Sequence, residues 1–293
     1  MNKLKSRHVD LKFEDWHTHN KLCHHADGSI EDYIKKAIKI KLQTIGVSDH
    51  FPYEFVKNIE RIPFEDYAIT LPEVENYLSI TEKLREKYKE DINIRIGFEV
   101  DFFKNQVFAL NEHLNRVKNR LDYIIGSIHI LDLQDGRGAW GFDDSRFRDD
   151  YELYGSDKVY MSYYQKLLKM LTFKGFDFNI IGHFDLPKKF NDHPQNKEII
   201  SNEISHLLDV IKSKDVIVEI NTGGLRKPCK EQYPNKEIIK QMYNLDIPVL
   251  LGSDAHNPKH LAWKFKKIIR LLKKIGYNHV AHLIARERTY VEI

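Results

Sequence analysis

The chain has 293 residues, of which 42% are hydrophobic and 30% charged, with a formal net charge of +3. That length fits one large domain or two small ones, and the composition is that of a globular chain able to bury a sizeable core. A charge this small, spread along helices instead of gathered in a block, excludes a composition-based argument for nucleic acid, and no stretch approaches the ~20 apolar residues of a membrane span.

Two cysteines, Cys23 and Cys229, form no CxxC pair and no disulfide framework. The charged start, residues 1–15, lacks the apolar core of a secretory signal, so the reducing cytoplasm is the expected compartment.

In chain order, Phe13 and Trp16 lead into His17-Thr18-His19. Positions i and i+2 of a strand face the same side, so both imidazoles would point at one spot. Alone, the pair reads equally as exposed histidines on a strand; recurrence further along singles it out. His25 follows in a loop with His24 and Cys23, and Cys23 reads there as a small packing residue. Ser29 and Asp32 form a capping pattern, and Tyr33, Ile34, Ala37, Ile38 and Leu42 continue at helical spacing. A short strand at 44–48 then runs into Ser48-Asp49-His50.

Residues 51–67, rich in Pro and aromatics, read as a long loop. Thr70 with Glu73 opens the next helix as a capping box, with a stripe through Val74, Tyr77, Leu78, Thr81, Leu84 and Tyr88. A strand at 92–98 ends at Glu99, a helix spans 107–121, and a strand at 123–128 ends at His129. Residues 133–154 break this rhythm, and long irregular segments in compact domains are usually functional or disordered. A helix over 159–171 carries Tyr160, Tyr163 and Tyr164 as core, and a strand at 178–182 ends at His183. After a helix at 199–211, a strand at 216–220 leads to Gly223-Gly224-Leu225-Arg226. Asn235 caps a helix, and a strand at 248–252 runs into Asp254-Ala255-His256. Pro258 opens a helix through Leu261 to Ile275 with Gly276 as its stop, and the tail ends in a strand at 289–293.

Seven strands alternating with helices imply a parallel sheet, and six of their C-terminal ends carry His, Glu or Asp. A (β/α) barrel builds its active site at those ends. The expectation is an α/β fold, a TIM-like (β/α) barrel, as a single domain over 1–293. The candidate ligands are His17, His19, His25, His50, Glu99, His129, His183, Asp254 and His256. Imidazole with carboxylate suits divalent Zn, Mn or Fe, and nine ligands exceed what one catalytic ion takes. Two or three ions sharing a carboxylate are expected, as in phosphatases and nucleases.

The ordered set His-x-His, a histidine six residues on, Ser-Asp-His, Phe-Glu-Val-Asp, Gly-Ser-Ile-His, Ile-Gly-His and Ser-Asp-Ala-His resembles the polymerase-and-histidinol-phosphatase (PHP) superfamily. Within it, Leu22-Cys23-His24-His25, Ile181-Gly182-His183-Phe184-Asp185-Leu186 and Glu219-Ile220-Asn221-Thr222-Gly223-Gly224-Leu225-Arg226 are similar to histidinol-phosphate phosphatases. His24 and Ala26 flank His25 where that group often has Pro and Gly, and Lys188 stands where it has an arginine.

The resemblance implies a distorted seven-stranded barrel with a trinuclear centre. His17, His19, Glu99 and Asp254 would hold one ion, Glu99 with His129 and His183 a second, and His25, His50 and His256 a third. It implies hydrolysis of a small phosphate monoester, L-histidinol phosphate, by a metal-bridging hydroxide. Arg226 and Lys188 would hold the phosphoryl group with Ser127, and Asp254, His256 or a metal-bound water would protonate the leaving alkoxide, the choice among the three staying open. Trp140, Phe142, Asp143 and Asp144 are the expected contacts to the rest of the substrate. The rival readings are a phosphodiesterase of nucleotides and a non-catalytic metal-binding module. Neither nucleic acid nor a membrane is an expected partner, and the oligomeric state stays open, a homodimer included. Asp49 reads as a supporting group, and His8, His113, His193, His206, His260, His279 and His282 read mostly as solvated.

Overall fold

The computed structural model describes residues 13–56 and 59–293; His8 lies outside the described residues. Among the described residues seven parallel strands pair in chain order: β1 Glu14–Asp15, β2 Thr44–Val47, β3 Asn93–Asp101, β4 Tyr123–Ser127, β5 Ile180–Ile181, β6 Ile217–Asn221 and β7 Val249–Gly252. The amide of Trp16 donates to Leu251 O at 3.0 Å and that of Asp254 to His17 O at 2.8 Å, which draws the first and last strands together into a nearly closed barrel. Runs such as Thr44–Val47 and Ile217–Asn221 are buried along their whole length, as strands covered on both faces must be.

The Tyr123 ring is fully buried inside the barrel against Trp16. Tyr123 donates its hydroxyl to Trp16 O at 2.7 Å, and a Cβ on Gly97 would lie 2.6 Å from that ring. Glycine at 97 is therefore a space requirement. Below Tyr123, the hairpin His279–Ile284/Glu287–Glu292 lays Ala281 and Leu283 against Trp16, Ile125, Ile180, Ile217 and Leu250. That hairpin corrects two expectations. The tail is a pair of strands and not one, and His282 is buried, with Nδ1 2.8 Å from Glu14.

Among the described residues eight helices surround the strands: α1 Ile30–Lys39, α2 Glu73–Lys87, α3 Val107–Leu114, α4 Arg148–Tyr154, α5 Ser156–Thr172, α6 Lys197–Lys214, α7 Lys236–Asn244 and α8 Phe265–Ile275. The Ser29/Asp32 capping box is formed in both directions. At Thr70 only the Glu73 carboxylate serves as a cap, taking the Thr70 amide and hydroxyl at 2.9 and 2.7 Å. α3 stops at Leu114 instead of reaching 121, though Val117 and Leu121 stay buried. Pro258 opens only a short 3-10 turn, because Ala262 and Lys264 adopt φ of 52° and 60° and break the chain before α8.

The irregular segment contains a two-residue ladder, Ile130–Leu131 with Trp140–Gly141, and then α4. Trp140 and Phe142 point into the core against Tyr151 and Tyr163, so these two are packing residues and not substrate contacts. No helix among the described residues is long and apolar enough to cross a membrane.

Candidate metal centre

The C-terminal strand ends open into one cleft of about 950 Å³, lined among others by His25, His50, Glu99, His129, His183, Asp254 and His256. His17 and His19 lie buried at its base. They follow β1, where the chain runs between β2 and β7: His19 N donates to Ala255 O, and Ser48 N to Thr18 O. This fixes the i, i+2 pair on the inner side of the barrel.

Glu99 is the hub. Its Oε2 lies 3.0 Å from His17 Nε2, 3.3 Å from His19 Nε2 and 3.2 Å from His50 Nδ1. Its Oε1 lies 2.9 Å from His183 Nε2, 3.6 Å from His129 Nε2 and 2.6 Å from Ser127 Oγ. Burial alone would raise this carboxyl's pKa, but His17, His50 and His129 hold it well below the usual range. Burial likewise works against a charged His17, and Glu219 and Glu99 reverse it, so His17 is raised. Burial sets the opposite sense at His50 and His256, both pushed well down, with His19 adding to the shift.

Asp254 sits in the left-handed region, φ 51°, and its Oδ1 lies 3.4 Å from both His19 Nε2 and His256 Nδ1. His25 Nε2 faces His256 Nε2 at 3.0 Å, with both other ring nitrogens directed at carbonyl oxygens. All nine candidates therefore converge on one place.

The donor set fits divalent cations. Nε2 of His19 and Nδ1 of His50, both facing Glu99 Oε2, are buried without a hydrogen-bond partner. Buried polar atoms are rarely left so. The groups His17/His19/Glu99, His50/Glu99/His129 and His19/His50/His256 each bring their ligand atoms within 4.8 Å of one another. His19, expected with the first ion, thus also stands beside the His50/His256 pair.

With this geometry in view, comparison with known proteins is specific. The family model described as the PHP domain matches residues 15–223. The chain belongs to the PHP-domain family. A protein of Deinococcus radiodurans named probable histidinol-phosphatase is 30% identical over 262 residues, 89% of this chain and 93% of that protein. A Listeria monocytogenes structure assigned to the HisK histidinol phosphatases superposes with a TM-score of 0.79 at 26% identity, covering 87% of this chain and 99% of that one. A Lactococcus lactis histidinol phosphate phosphatase, solved with Zn, L-histidinol and phosphate, shares the fold with a TM-score of 0.77 at 21% identity, covering 95% and 99%.

In this PHP domain several carboxylates behind the histidines escaped the sequence reading. Glu219 Oε1 lies 2.8 Å from His17 Nδ1, and its Oε2 accepts from the His183 amide at 3.0 Å. Asp101 accepts from the His129 amide and faces its Nδ1, both at 2.8 Å. Asp15 accepts from the Ser253 and Ala262 amides, and burial pushes its carboxyl up to about 6 against those hydrogen bonds. The available signal was an acid inside an otherwise apolar strand, and for Asp101 its i+2 relation to Glu99. Glu219→Gln should lower activity and metal affinity by about 10–100-fold, because such partners fix a ligand's tautomer and ring orientation. Metal titration beside kinetics checks this.

Two residues expected at the phosphate are placed elsewhere in the PHP barrel. Ser127 is buried with its hydroxyl directed at Glu99, so it orients the hub and does not reach the cleft. Lys188 is buried in the 3-10 turn Leu186–Phe190, 2.8 Å from each of Asp185, Glu231 and the Gln232 carbonyl. Its ammonium is fully engaged. Lys189, Arg226 and Lys227 line the cleft instead. Lys188→Met should cost about 3–5 kcal/mol of stability, since it strands a buried carboxylate. Thermal unfolding should show that loss, while KM for substrate stays near wild type.

Asp143 and Asp144 line the cleft. His24 also lines it but faces Glu73 at 3.4 Å and joins no ligand group among the described residues. Cys23 is buried against Asn20 O, with His19 and Asp49 nearby. Asp49 accepts the Asn20 amide at 2.9 Å and lies 3.6 Å from His19 Nδ1, the supporting position expected for it.

Proposed function

We propose that this protein is a metal-dependent phosphomonoesterase that hydrolyses L-histidinol phosphate to L-histidinol and phosphate, in histidine biosynthesis in the cytoplasm. The observation that carries the reading is Glu99, with five imidazoles facing its two oxygens at 2.9–3.6 Å beside a cleft wall carrying Arg226. Kinship with proteins named as histidinol-phosphatases supports the substrate.

His17, His19, Glu99 and Asp254 would hold one divalent ion, Glu99, His129 and His183 a second, and His25, His50 and His256 a third. Divalent ions held there, Zn, Mn or Fe, would supply an acidified water and neutralise charge on the phosphoryl oxygens. The chain's own groups supply the rest. Arg226 orients the phosphoryl oxygens. Glu219 and Asp101 keep His17 and His129 turned toward Glu99. Asp254 and His256 stand at the cleft edge of the centre, but against burial the His17 and His19 charges hold the Asp254 carboxyl well down, and burial holds the His256 ring well down, so the proton for the leaving alkoxide would come from a water bound at the centre.

The test is kcat/KM on L-histidinol phosphate with Mn or Zn restored, beside an aryl phosphate and a nucleotide phosphodiester. A preference for histidinol phosphate of several orders of magnitude supports the assignment. Equal slow rates, or a preference for the diester, would remove it.

A further inference from the structure

One ion pair in the cleft has no role in holding metal. Lys189 Nζ lies 2.8 Å from Asp143 Oδ2, with side chains only 18% and 12% exposed. Both residues line the cleft. Among the described residues each is the other's only ion-pair partner. The pair also bridges two informative segments. The Phe142 amide donates to His129 O at 3.2 Å, which sets Asp143 one residue beyond the chain paired with His129. Lys189 lies in the turn that follows His183. The pair thus joins the segments next to the two histidines that face Glu99 Oε1.

We propose that Asp143 and Lys189 determine specificity by ion-pair exchange: the substrate's ammonium takes Asp143 while its phosphate takes Lys189. This rests on the phosphatase reading above and names the feature of the substrate that is selected, a cationic amine on the same small molecule as the phosphate. The physical reason is charge balance within a pair whose two side chains are largely buried. Removing one partner of a largely buried pair is costly because the other charge stays behind uncompensated. A phosphate lacking an amine can recruit Lys189 only by stranding Asp143. An amine lacking a phosphate can recruit Asp143 only by stranding Lys189. A molecule bearing both groups replaces each counter-charge and leaves nothing unpaired. The site then discriminates through a penalty on incomplete ligands as well as through attraction to the complete one.

The neighbouring charges agree with this assignment. Asp144 is already engaged by Arg146 at 2.8 Å and by the Tyr67 hydroxyl, so Asp143 is the acid that a ligand can claim at the cost of one contact. Arg226 and Lys227 share the cleft wall with Lys189, so a released Lys189 ammonium joins cations that already favour phosphate.

The experiment is calorimetric titration of the metal-loaded protein with L-histidinol and, separately, with inorganic phosphate, for wild type, Asp143→Asn, Lys189→Met and the double variant. Relative to wild type, Lys189→Met should bind L-histidinol about tenfold more tightly, because Asp143 has been freed, and Asp143→Asn should bind phosphate about tenfold more tightly, because Lys189 has been freed. The double variant should show neither gain. In wild type, each product should tighten binding of the other. If both single variants bind the corresponding ligand no more tightly than wild type, the exchange is overturned. Lys189→Gln and Asp143→Ala replace any variant whose thermal melt shows it unfolded. The phosphate arm needs no knowledge of the natural substrate. If wild type shows no preference for histidinol phosphate, the functional reading fails, while tightening of phosphate in Asp143→Asn still decides the exchange.

Discussion

Glu99→Gln should abolish phosphatase activity, by at least about 10³-fold, well beyond the 10–100-fold typical of losing an outer partner of a metal ligand. The amide keeps the shape of the carboxylate but neither its charge nor its acceptor-only character. Three imidazole nitrogens face Oε2 within 3.3 Å, and Ser127 and His183 face Oε1 within 2.9 Å. An amide nitrogen at either position would be aimed at ligand atoms or at a hydroxyl that now donates. Loss of the negative charge also removes the one group that would be shared by two ions. Two readouts separate this from simple unfolding. Metal analysis should show fewer bound ions per chain. Chelation should lower the melting temperature of wild type and restored Zn should recover it, since a ligand at about 100 times its Kd adds roughly 2.7 kcal/mol to the folded state. The variant should respond far less to either. Full metal content with near-normal activity in Glu99→Gln would show that the hub is not a ligand.

What sequence made legible follows from range. Most barrel strands are short, largely apolar runs buried on both faces, and such runs stand out locally; β1, the acid pair Glu14–Asp15, is instead announced by Phe13 and Trp16 on either side of it. All seven are present where periodicity placed them, although β1 and β5 shrink to two residues. The strand-end histidines and acids were legible for the same reason, because topology sends every strand end to one side of the sheet. Features set by distant contacts were not. His282 pairs with Glu14 across 268 positions, and nothing near either residue in sequence announces it. Glu219 reaches His17 across 202.

The lysine assignment failed for a local reason of a different kind. In the tight turn Leu186–Phe190 neighbouring side chains point in different directions, so a shift of one residue moves a cation from the buried Asp185/Glu231 cluster to the cleft. No hydrophobic period runs through such a turn to say which lysine faces which way. The aromatic residues of the irregular segment misled similarly. Trp140 and Phe142 flank glycine in a stretch that reads as loop, yet a two-residue ladder is enough to turn both into the core.

Arg226→Ala should lower kcat by about 10²–10³-fold, the scale seen when one preorganised donor to developing charge is removed. Its Nη2 donates to Ser253 O and Asp254 O, both at 2.8 Å, which fixes the plane of the guanidinium against the loop that carries Asp254. Its Nη1 is buried without a partner, on a residue that lines the cleft. A rigid donor lacking an acceptor beside a cluster of metal-type ligands is suited to a phosphoryl oxygen. Burial pulls this group's proton affinity down, Asp254 and Asp15 push it back up, and an arginine at this position remains charged. Arg226→Lys should recover only part of the rate. An ammonium is a point charge, and one that satisfies the two loop carbonyls is drawn away from the phosphate, whereas the planar fork serves both at once. The two substitutions also separate electrostatics from scaffolding. Arg226→Ala strands two carbonyls and should cost about 1–3 kcal/mol in stability, whereas Arg226→Lys should melt close to wild type while remaining slow. If Arg226→Lys restored full kcat, the contribution would be charge alone. If Arg226→Ala kept full kcat and lost only stability, the arginine would be a tie for the Ser253–Asp254 loop, and the phosphate would have to be held by Lys227 and Lys189.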